Sequence, residues 1–499
     1  MTKELLKSVK IASAFLVMLM ISVATIAKPI SEITAKQAAL SFLSGEIFYT
    51  PAQPLSLVNA SGSLPNDGYY IFSNDNCFVI ISADDASNPI LAYSTESGFK
   101  TNKTSPEVSY MLGNYSKQVK YIVSNQIAAT TEISNKWTAL LNNAAPAENK
   151  NAPYVRNLIK TTWDQAPFYN DMCPFDNSYN QRTVTGCVAT AMAQVLKYWN
   201  YPTSGLGSNS YNDASYGMLS ASFDTTKYAW SAMPTNLITS NTAVATLMYD
   251  CGVAVDMNYG VAAVGGSSAY VVPNGGNRNT TEKCAENAFV NYFGYDATTI
   301  KGLTRSSFAD STWINMLETE LSNGRPVIYS GFDSANEGHC FVFDGYTTQN
   351  AHYPNYFHVN WGWSGAFNGY FEISSLNPGT GGIGAGSIGA FNFGQQAIMG
   401  IQPPAGALSG IQTITNTAGS IKVYPNPAND HITADLTGIN GTAQQINLIN
   451  IQGKIVNSII PGNNENNITI NTSNIQNGIY VLQILSDKGM VNSKVVINR

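Results

Sequence analysis

The sequence has few charged residues and few cysteines. Its 499 residues contain 26 Lys and Arg against 32 Asp and Glu, and the formal net charge at pH 7 is -6. The charges form no basic run and no basic amphipathic helix, so nucleic acid is not the expected partner. No cysteine pair has the spacing of a zinc site, and the sequence predicts neither a metal nor a cofactor.

The cysteines do not form a disulfide framework. Six of them are few and irregularly spaced for a chain of this length, namely Cys77, Cys173, Cys187, Cys251, Cys284 and Cys340. Which of them pair cannot be read from the sequence. If one stays a thiol for catalysis, five remain, so at least one other is also unpaired or leaves with a removed segment.

Long hydrophobic runs are also lacking, apart from one at the start. Residues 1–27 carry three lysines, then an apolar run, then small residues where a signal peptidase would cut, which predicts a signal peptide. A membrane anchor is the alternative, but the run is short and no second one follows. We expect a secreted protein, and the length indicates about three further domains.

Residues 28–150 have the pattern of a small α+β domain. Ser31 is a candidate cap for a helix over 34–42, and short strands are predicted over 69–73, 77–83 and 90–94. A helical pattern follows from Tyr110 to Leu141. Residues 142–153 then read as an exposed connector that is open to cleavage.

The stretch TGCVATAMAQVLKYWNYP, residues 185–202, predicts a strong helix with Cys187 in its first turn. Backbone amides and the helix dipole favour the thiolate there, which is the nucleophilic form. Without other evidence, a free cysteine is more often a small buried hydrophobic residue than a nucleophile, and this applies to Cys187 too. Gln165 lies upstream and can donate into an oxyanion hole, although an exposed loop glutamine is the commoner case. The glycine-rich run 252–276 is either a groove wall or an ordinary surface loop.

A histidine and an amide come together in the predicted sheet of the same domain, 151–403. After a helix over 311–321, strands are predicted over 325–332, 338–346 and 356–373. His339 begins the second strand and Asn360 lies in the third, so the imidazole and the amide can meet across the sheet. A lone histidine at a strand start is more often structural. His358 fits less well, because it lies farther along the face of Asn360.

The last part of the chain predicts a separate β domain. Residues 404–419 form a linker, and 420–499 alternate apolar and polar residues in short strands, as in a small β-sandwich. It offers no nucleophile, so binding or targeting is the expected role.

With these motifs together, including GHCFVFDGY and HVNWGWSG, the middle of the chain resembles the streptopain-type cysteine peptidases. The resemblance implies an α+β fold: a papain-like domain, an inhibitory α+β pro-domain at 28–150 and a C-terminal β-sandwich. It also implies Cys187 as nucleophile, His339 as general base and acid, Gln165 in the oxyanion hole, Asn360 and Trp361 beside the histidine, and Gly338 as a backbone contact for substrate. Cys340 departs from the alanine that relatives can have.

The C-terminal motifs, from VYPNPANDHI to KVVI, resemble type IX secretion sorting domains, with an accessory immunoglobulin-like module as the alternative. Together the two resemblances imply a secreted cysteine endopeptidase made as a zymogen. Its implied partners are protein or peptide substrates, its own pro-domain and a secretion machinery. Two other readings remain open: a thiol acyl-transfer enzyme such as an amidase or transglutaminase, and an inactive surface-binding protein.

Overall fold

The computed structural model describes most of the chain in ten stretches. These are residues 27–46, 53–58, 68–100, 106–142, 154–273, 282–332, 338–348, 356–373, 393–407 and 421–498, the last with gaps at 440, 451–454, 463–464 and 487–488. Residues 1–26 of the predicted signal peptide, most of the connector and most of the linker lie outside them. No helix in the described stretches is long and apolar enough to cross a bilayer.

The described residues divide into two compact units, and the first contains residues up to 142 together with 371–373. Its helices are α1 Glu32–Gly45, α2 Pro106–Ser124 and α3 Thr131–Leu141. Its strands pair antiparallel in the order β1 Ser56–Leu57, β2 Tyr69–Ser73, β3 Phe78–Ser82 and β4 Ile90–Ser94. The three longer strands are buried along their whole length, so they form the centre of this unit.

The cap and the strands predicted for the first unit are present, and one helical prediction needs correction. Ser31 caps α1 and accepts a hydrogen bond from the Thr34 amide at 3.2 Å. The helical pattern predicted from Tyr110 to Leu141 belongs to two helices that are separated by residues 125–130. Gln126 adopts a positive φ of 51°, and Thr130 caps the second helix by accepting from the Ile133 amide. A left-handed residue followed by a cap ends one helix and starts another.

The second unit contains the described residues 154–370 and those from 393 onward. Its helices are α4 Cys187–Trp199, α5 Thr242–Ala254, α6 Ala285–Asn291 and α7 Asp310–Ser322. Strands that precede its main sheet are β5 Tyr154–Val155, β6 Phe175–Asp176, β7 Gln181–Arg182, β8 Ser208–Asp213 and β9 Gly217–Ser222. The main sheet is built from β10 Lys301–Thr304, β11 Val327–Phe332, β12 Gly338–Thr347, β13 Tyr356–Asn360 and β15 Phe393–Met399. Strand β14, Gly369–Glu372, lies between β13 and β15 in the sequence.

The main sheet supports the helix that starts at Cys187. Its strands pair antiparallel in the order β13, β12, β11, β15 and β10, and β5 adds to β12. Cys340 and Val342 on β12 share one buried core with the apolar residues of α4 between Val188 and Leu196, and with α5. Helix α4 is therefore buried over most of its length, including the polar residues Thr190 and Gln194.

Two local predictions in this unit need correction. The predicted third strand, 356–373, is two strands, β13 and β14, joined by a loop over 361–368. Helix α5 occupies 242–254, so the start of the glycine-rich run is helical. Farther along the run, Gly260 and Ser267 contact the segment before Cys187: the Val184 amide donates to the Gly260 carbonyl, and Ser267 Oγ donates to the Val184 carbonyl at 2.6 Å.

The C-terminal residues form the predicted β-sandwich. One sheet has the order β16 Lys422–Tyr424, β17 His431–Asp435 and β20 Asn467–Asn471. The other has the order β19 Ile455–Ile459, β18 Ala443–Asn450, β21 Gly478–Ser486 and β22 Gly489–Ile497. Alternate residues of both sheets, among them Ile432, Ile470, Leu448 and Leu482, fill one shared core.

Candidate active site

Cys187 is the first residue of α4 and differs from the other five cysteines in exposure. It is partly exposed while the rest are buried, and none of the six forms a disulfide. Burial raises the pKa of Cys173 to about 12 and that of Cys284 to about 11, and it also raises the pKa values of Cys77 and Cys251. These four thiols remain protonated at neutral pH, which leaves Cys187 as the accessible nucleophile.

The backbone before Cys187 requires glycine. Gly186 has φ +86°, and a Cβ there would lie 2.9 Å from the sulfur of Met257 and 3.2 Å from Cβ of Ser267. The hydrogen bonds of the helix begin with the Thr190 amide, which donates to the Gly186 carbonyl at 3.0 Å. The amides of the three residues from Cys187 onward therefore point out of the helix end, where they stabilise negative charge.

His339 is the second residue of β12 and is 9% exposed. It pairs across the sheet with Gly331 on β11. The residue before it, Gly338, is exposed at the strand start. Cys187 packs against the core that contains Cys340, the neighbour of His339. Cys187 at the start of α4 and Cys340 on β12 therefore belong to the same core.

Trp361, not Asn360, lies on the sheet face that carries His339. Side chains alternate along β12, so His339 and Phe341 share a face, and the rings of Phe341 and Trp361 are 4.8 Å apart. The indole is fixed from behind, since its Nε1 donates to the carbonyl of Phe367 at 3.1 Å. Trp361 therefore packs against Phe341, which follows His339 by two residues on the same face.

The Asn360 side chain makes its hydrogen bonds on the opposite sheet face from His339. The imidazole–amide pair expected from the sequence is therefore not formed. Asn360 lies opposite Val342, an odd number of residues from His339, and so on the other face. Its Nδ2 donates to the Thr161 carbonyl at 2.9 Å and to Gln194 Oε1 at 3.2 Å, and its Oδ1 accepts from Gln194 Nε2 and the Gly362 amide. The amide holds the segments around the site together.

Gln165 has its side-chain amide available. The residue is half-buried, and its side chain has no hydrogen bond to another residue in the described part of the chain. Its backbone is fixed: the carbonyl accepts from the Thr185 amide, two residues before Cys187. Its own amide donates to Asp164 Oδ1 at 2.7 Å. An anchored backbone with an available amide is what an oxyanion donor needs.

Three residues of this region were not found from the sequence. Gln194 lies inside α4, where glutamine is an ordinary helix former. Asp164 follows Trp163 without a motif, and its Oδ2 accepts from Ser364 at 2.5 Å. Asp344 is buried on β12 and bonds to His358 Nδ1 at 2.6 Å, so His358 belongs to a buried pair. Among the described residues, no cluster of side chains could hold a metal ion.

Three family profiles match separate parts of the chain. The Spi protease inhibitor family matches residues 27–119, the peptidase C10 family matches 163–371, and the secretion system C-terminal sorting domain matches 422–498. The match to the peptidase family contains Gln165, Cys187, His339, Asn360 and Trp361.

Individual proteins match over longer spans. Streptopain of Streptococcus pyogenes is 33% identical over 366 residues, 70% of this chain and 84% of that protein. The thiol protease/hemagglutinin PrtT of Porphyromonas gingivalis is 28% identical over 92% of this chain and 53% of its own length. The solved structure of a prointerpain A fragment from Prevotella intermedia is 32% identical, covers 70% of this chain and 99% of the fragment, and superposes with a TM-score of 0.51.

Proposed function

This chain belongs to the peptidase C10 family of cysteine peptidases, and on that premise we propose that Cys187 and His339 form its catalytic pair. The protein is a cysteine peptidase made as a zymogen with an inhibitor-like pro-domain, and its C-terminal sorting domain directs it to export. The observation that carries the assignment of the nucleophile is the position of Cys187. It alone of the six cysteines is accessible, and it begins a helix.

The proposed reaction divides peptide hydrolysis into two steps. The Cys187 thiolate bonds to the substrate carbonyl carbon, and the oxygen that becomes negative is held by the Cys187 amide and the Gln165 side chain. His339 donates its proton to the leaving amine, so the peptide C–N bond breaks and a thioester remains. Water then attacks the thioester while His339 takes its proton, which releases the acid and restores the pair.

Three further residues have supporting roles in this proposal. Trp361 shields and orients the imidazole of His339 from the same sheet face. Asn360 acts at a distance, because its hydrogen bonds go to the segments that flank the site. Gly338 offers backbone at an exposed strand start next to His339, where an extended substrate can bind.

We propose domain boundaries that follow the profile matches and the sequence pattern. Residues 1–27 are the signal peptide, 28–150 the inhibitory pro-domain, 151–403 the peptidase, 404–419 a linker and 420–499 the sorting domain. The range matched by the inhibitor family, 27–119, supports the pro-domain. The sorting profile over 422–498 supports recognition by a type IX secretion machinery.

The test is cleavage of unfolded casein by the purified full-length chain, with Cys187→Ala and Cys340→Ala as matched variants. We expect Cys187→Ala to lower kcat/KM by roughly 10⁴- to 10⁶-fold and to leave the precursor uncut if maturation is autocatalytic. Cys340→Ala should retain activity, because its thiol is buried. Peptide products are followed by mass spectrometry, with and without a thiol-alkylating epoxide.

Other outcomes would point away from this function. Release of amines or crosslinking without chain cleavage would indicate an amidase or a transglutaminase. No turnover by the wild-type chain, even after removal of residues up to about 150, would indicate a binding protein. Normal maturation of Cys187→Ala would mean that a different protease cuts the precursor.

A further inference from the structure

A buried glutamine in α4 connects the segments that carry the proposed catalytic residues. Gln194 is 1% exposed and lies seven residues after Cys187 on the same helix. The proposed reaction gives it no role. A buried amide is costly unless its polar atoms are hydrogen-bonded, and each partner of Gln194 belongs to a segment that borders the site.

The oxygen of Gln194 holds the segment that presents the oxyanion donor. Its Oε1 accepts from Thr161 Oγ1 at 2.9 Å and from the Trp163 amide at 3.3 Å. These residues precede Gln165 by four and two positions. The helix that begins with the nucleophile therefore fixes the backbone that leads to Gln165.

The same amide holds the loop that carries Trp361. Gln194 Nε2 donates to Asn360 Oδ1 at 3.1 Å, and Asn360 Nδ2 donates back to Gln194 Oε1 at 3.2 Å. Asn360 Oδ1 also accepts from the Gly362 amide at 3.1 Å. Of the two neighbours of Trp361, Asn360 is thus bonded directly to the Gln194 side chain, and Gly362 is connected to it through Asn360.

A second contact joins the two segments directly. Asp164 accepts from the Gln165 amide and from Ser364 Oγ, and the Ser364 amide donates to the Trp163 carbonyl at 3.3 Å. The segment before Gln165 and the loop after Trp361 therefore form one hydrogen-bonded unit, and Gln194 is the residue that fastens this unit to the nucleophile helix.

We propose that Gln194 is a positioning residue of the peptidase: it sets the Gln165 amide relative to the Cys187 sulfur, so that the oxyanion donor is in place before substrate binds. This inference rests on the proposed function. A positioning residue acts on the transition state through Gln165. The Trp361 ring keeps its own hydrogen bond to the Phe367 carbonyl, so we expect the reactivity of the thiolate to stay unchanged.

The variants are Gln194→Met, which keeps the side-chain length and removes every hydrogen bond, and Gln194→Glu, which keeps the oxygen that Thr161 and Trp163 use. Displacing a catalytic group by about 1 Å can cost 10²-fold, so we expect Gln194→Met to lower kcat/KM by about 10- to 100-fold, mainly in kcat. Gln194→Glu should lie between the wild type and Gln194→Met.

Two probes separate positioning from general damage. A peptide aldehyde forms a tetrahedral adduct whose oxygen occupies the oxyanion site, whereas iodoacetamide alkylates Cys187 without an oxyanion. We expect the affinity for the aldehyde to fall by about the same factor as kcat/KM, and the alkylation rate to stay within about twofold. Variant precursors are matured by a trace of tagged wild-type enzyme, which is then removed, so that slow self-processing does not affect the comparison.

The matched control is Tyr228→Phe. It removes a buried hydrogen bond elsewhere in the second compact unit, which Tyr228 donates to Asp250 at 2.9 Å. Neither residue belongs to the segments that Gln194 connects. Tyr228→Phe should lower the thermal midpoint without changing either probe. In a Gln165→Ala background, Gln194→Met should add less than about twofold, because residues that act through one group are not additive.

The results distinguish this inference from the proposed function. If aldehyde affinity and alkylation fall together in Gln194→Met, or if only the thermal midpoint changes, the positioning role is wrong while the peptidase assignment stands. If the wild-type chain cleaves no peptide, or if Gln165→Ala leaves kcat/KM unchanged, the proposed catalytic machinery itself is wrong.

Discussion

The conformation of one glycine decides where the proposed nucleophile lies. Gly186 has a left-handed φ, and its missing side chain leaves room for Met257 and Ser267. Both constraints act on the residue directly before Cys187. A side chain at 186 would therefore change the start of α4, and with it the position of the sulfur relative to the donors around it.

We predict that Gly186→Ala destabilises the protein and reduces its activity. A non-glycine residue held at such a φ costs about 1–3 kcal/mol, and the contacts at 2.9 Å and 3.2 Å must also relax. Thermal unfolding and kcat/KM measure the two effects. Gly207→Ala is the control, because Gly207 has φ +60° with nothing within 4 Å of the added carbon. Equal loss of activity in both variants would show that the position of Gly186 has no special role.

Single residues of the proposed site could be suggested from the sequence where a motif carries them. Cys187 follows a turn glycine and begins an evident helix, and His339 begins a strand, so both could be found from local pattern. The role of Asn360 could not. Its face depends on the register of β12 and β13 and on the bulge between Phe343 and Gly345, and register is a property of the folded sheet. Gln194 was missed because the three residues that share its four hydrogen bonds come from distant parts of the chain.

At the scale of elements, a buried pair joins β12 and β13 next to the site. Asp344 lies at the bulge of β12, with Oδ1 at 2.6 Å from His358 Nδ1 and Oδ2 accepting from the Ile159 amide at 3.0 Å. Its carbonyl accepts from Leu158 at 2.7 Å. The pair therefore connects the segment before Thr161 to the two strands, and we expect it to stabilise the fold without taking part in the reaction.

We predict that His358→Gln and Asp344→Asn lower stability and leave the chemistry in place. Each leaves a buried partner without its hydrogen bond, which costs about 1–3 kcal/mol, or a fall of about 2–4 °C in Tm per kcal/mol for a domain of this size. His339→Ala is the matched variant, for which we expect loss of turnover with little change in Tm. If His358→Gln abolished turnover at a temperature where it is folded, His358 would be the base instead.

The elements that sequence pattern missed share one cause. Helix α5 begins at Thr242 after an Asn241 cap, but its glycine and the small residues around it resemble the loop that follows. The helical pattern over 110–141 did not locate the break between its two helices, where Gln126 has a positive φ. Periodicity predicts that an element exists, whereas its ends depend on caps and backbone conformations that several residue types can adopt.

At the scale of the whole chain, three functions are assigned to separate stretches of sequence. The inhibitor-like match, the peptidase match and the sorting match follow one another without overlap, so their order was readable from the sequence. The C-terminal sandwich has its own shared core and no residue of the proposed catalytic set. We therefore expect its contribution to be transport and not turnover.

We predict that truncation after residue 419 prevents export and leaves catalysis unchanged. The sandwich core is filled by residues of its own two sheets, so its removal takes no side chain from the proposed site. In a host with a type IX secretion system, the truncated chain should accumulate inside the cell, while its kcat/KM on casein after maturation stays within about twofold of the full-length value, the range of unaltered transition-state binding. A full-length His431→Ala variant, changed at an exposed position of the sandwich, controls for expression and should be exported normally. Truncated enzyme at wild-type levels in the medium would show that another signal directs export.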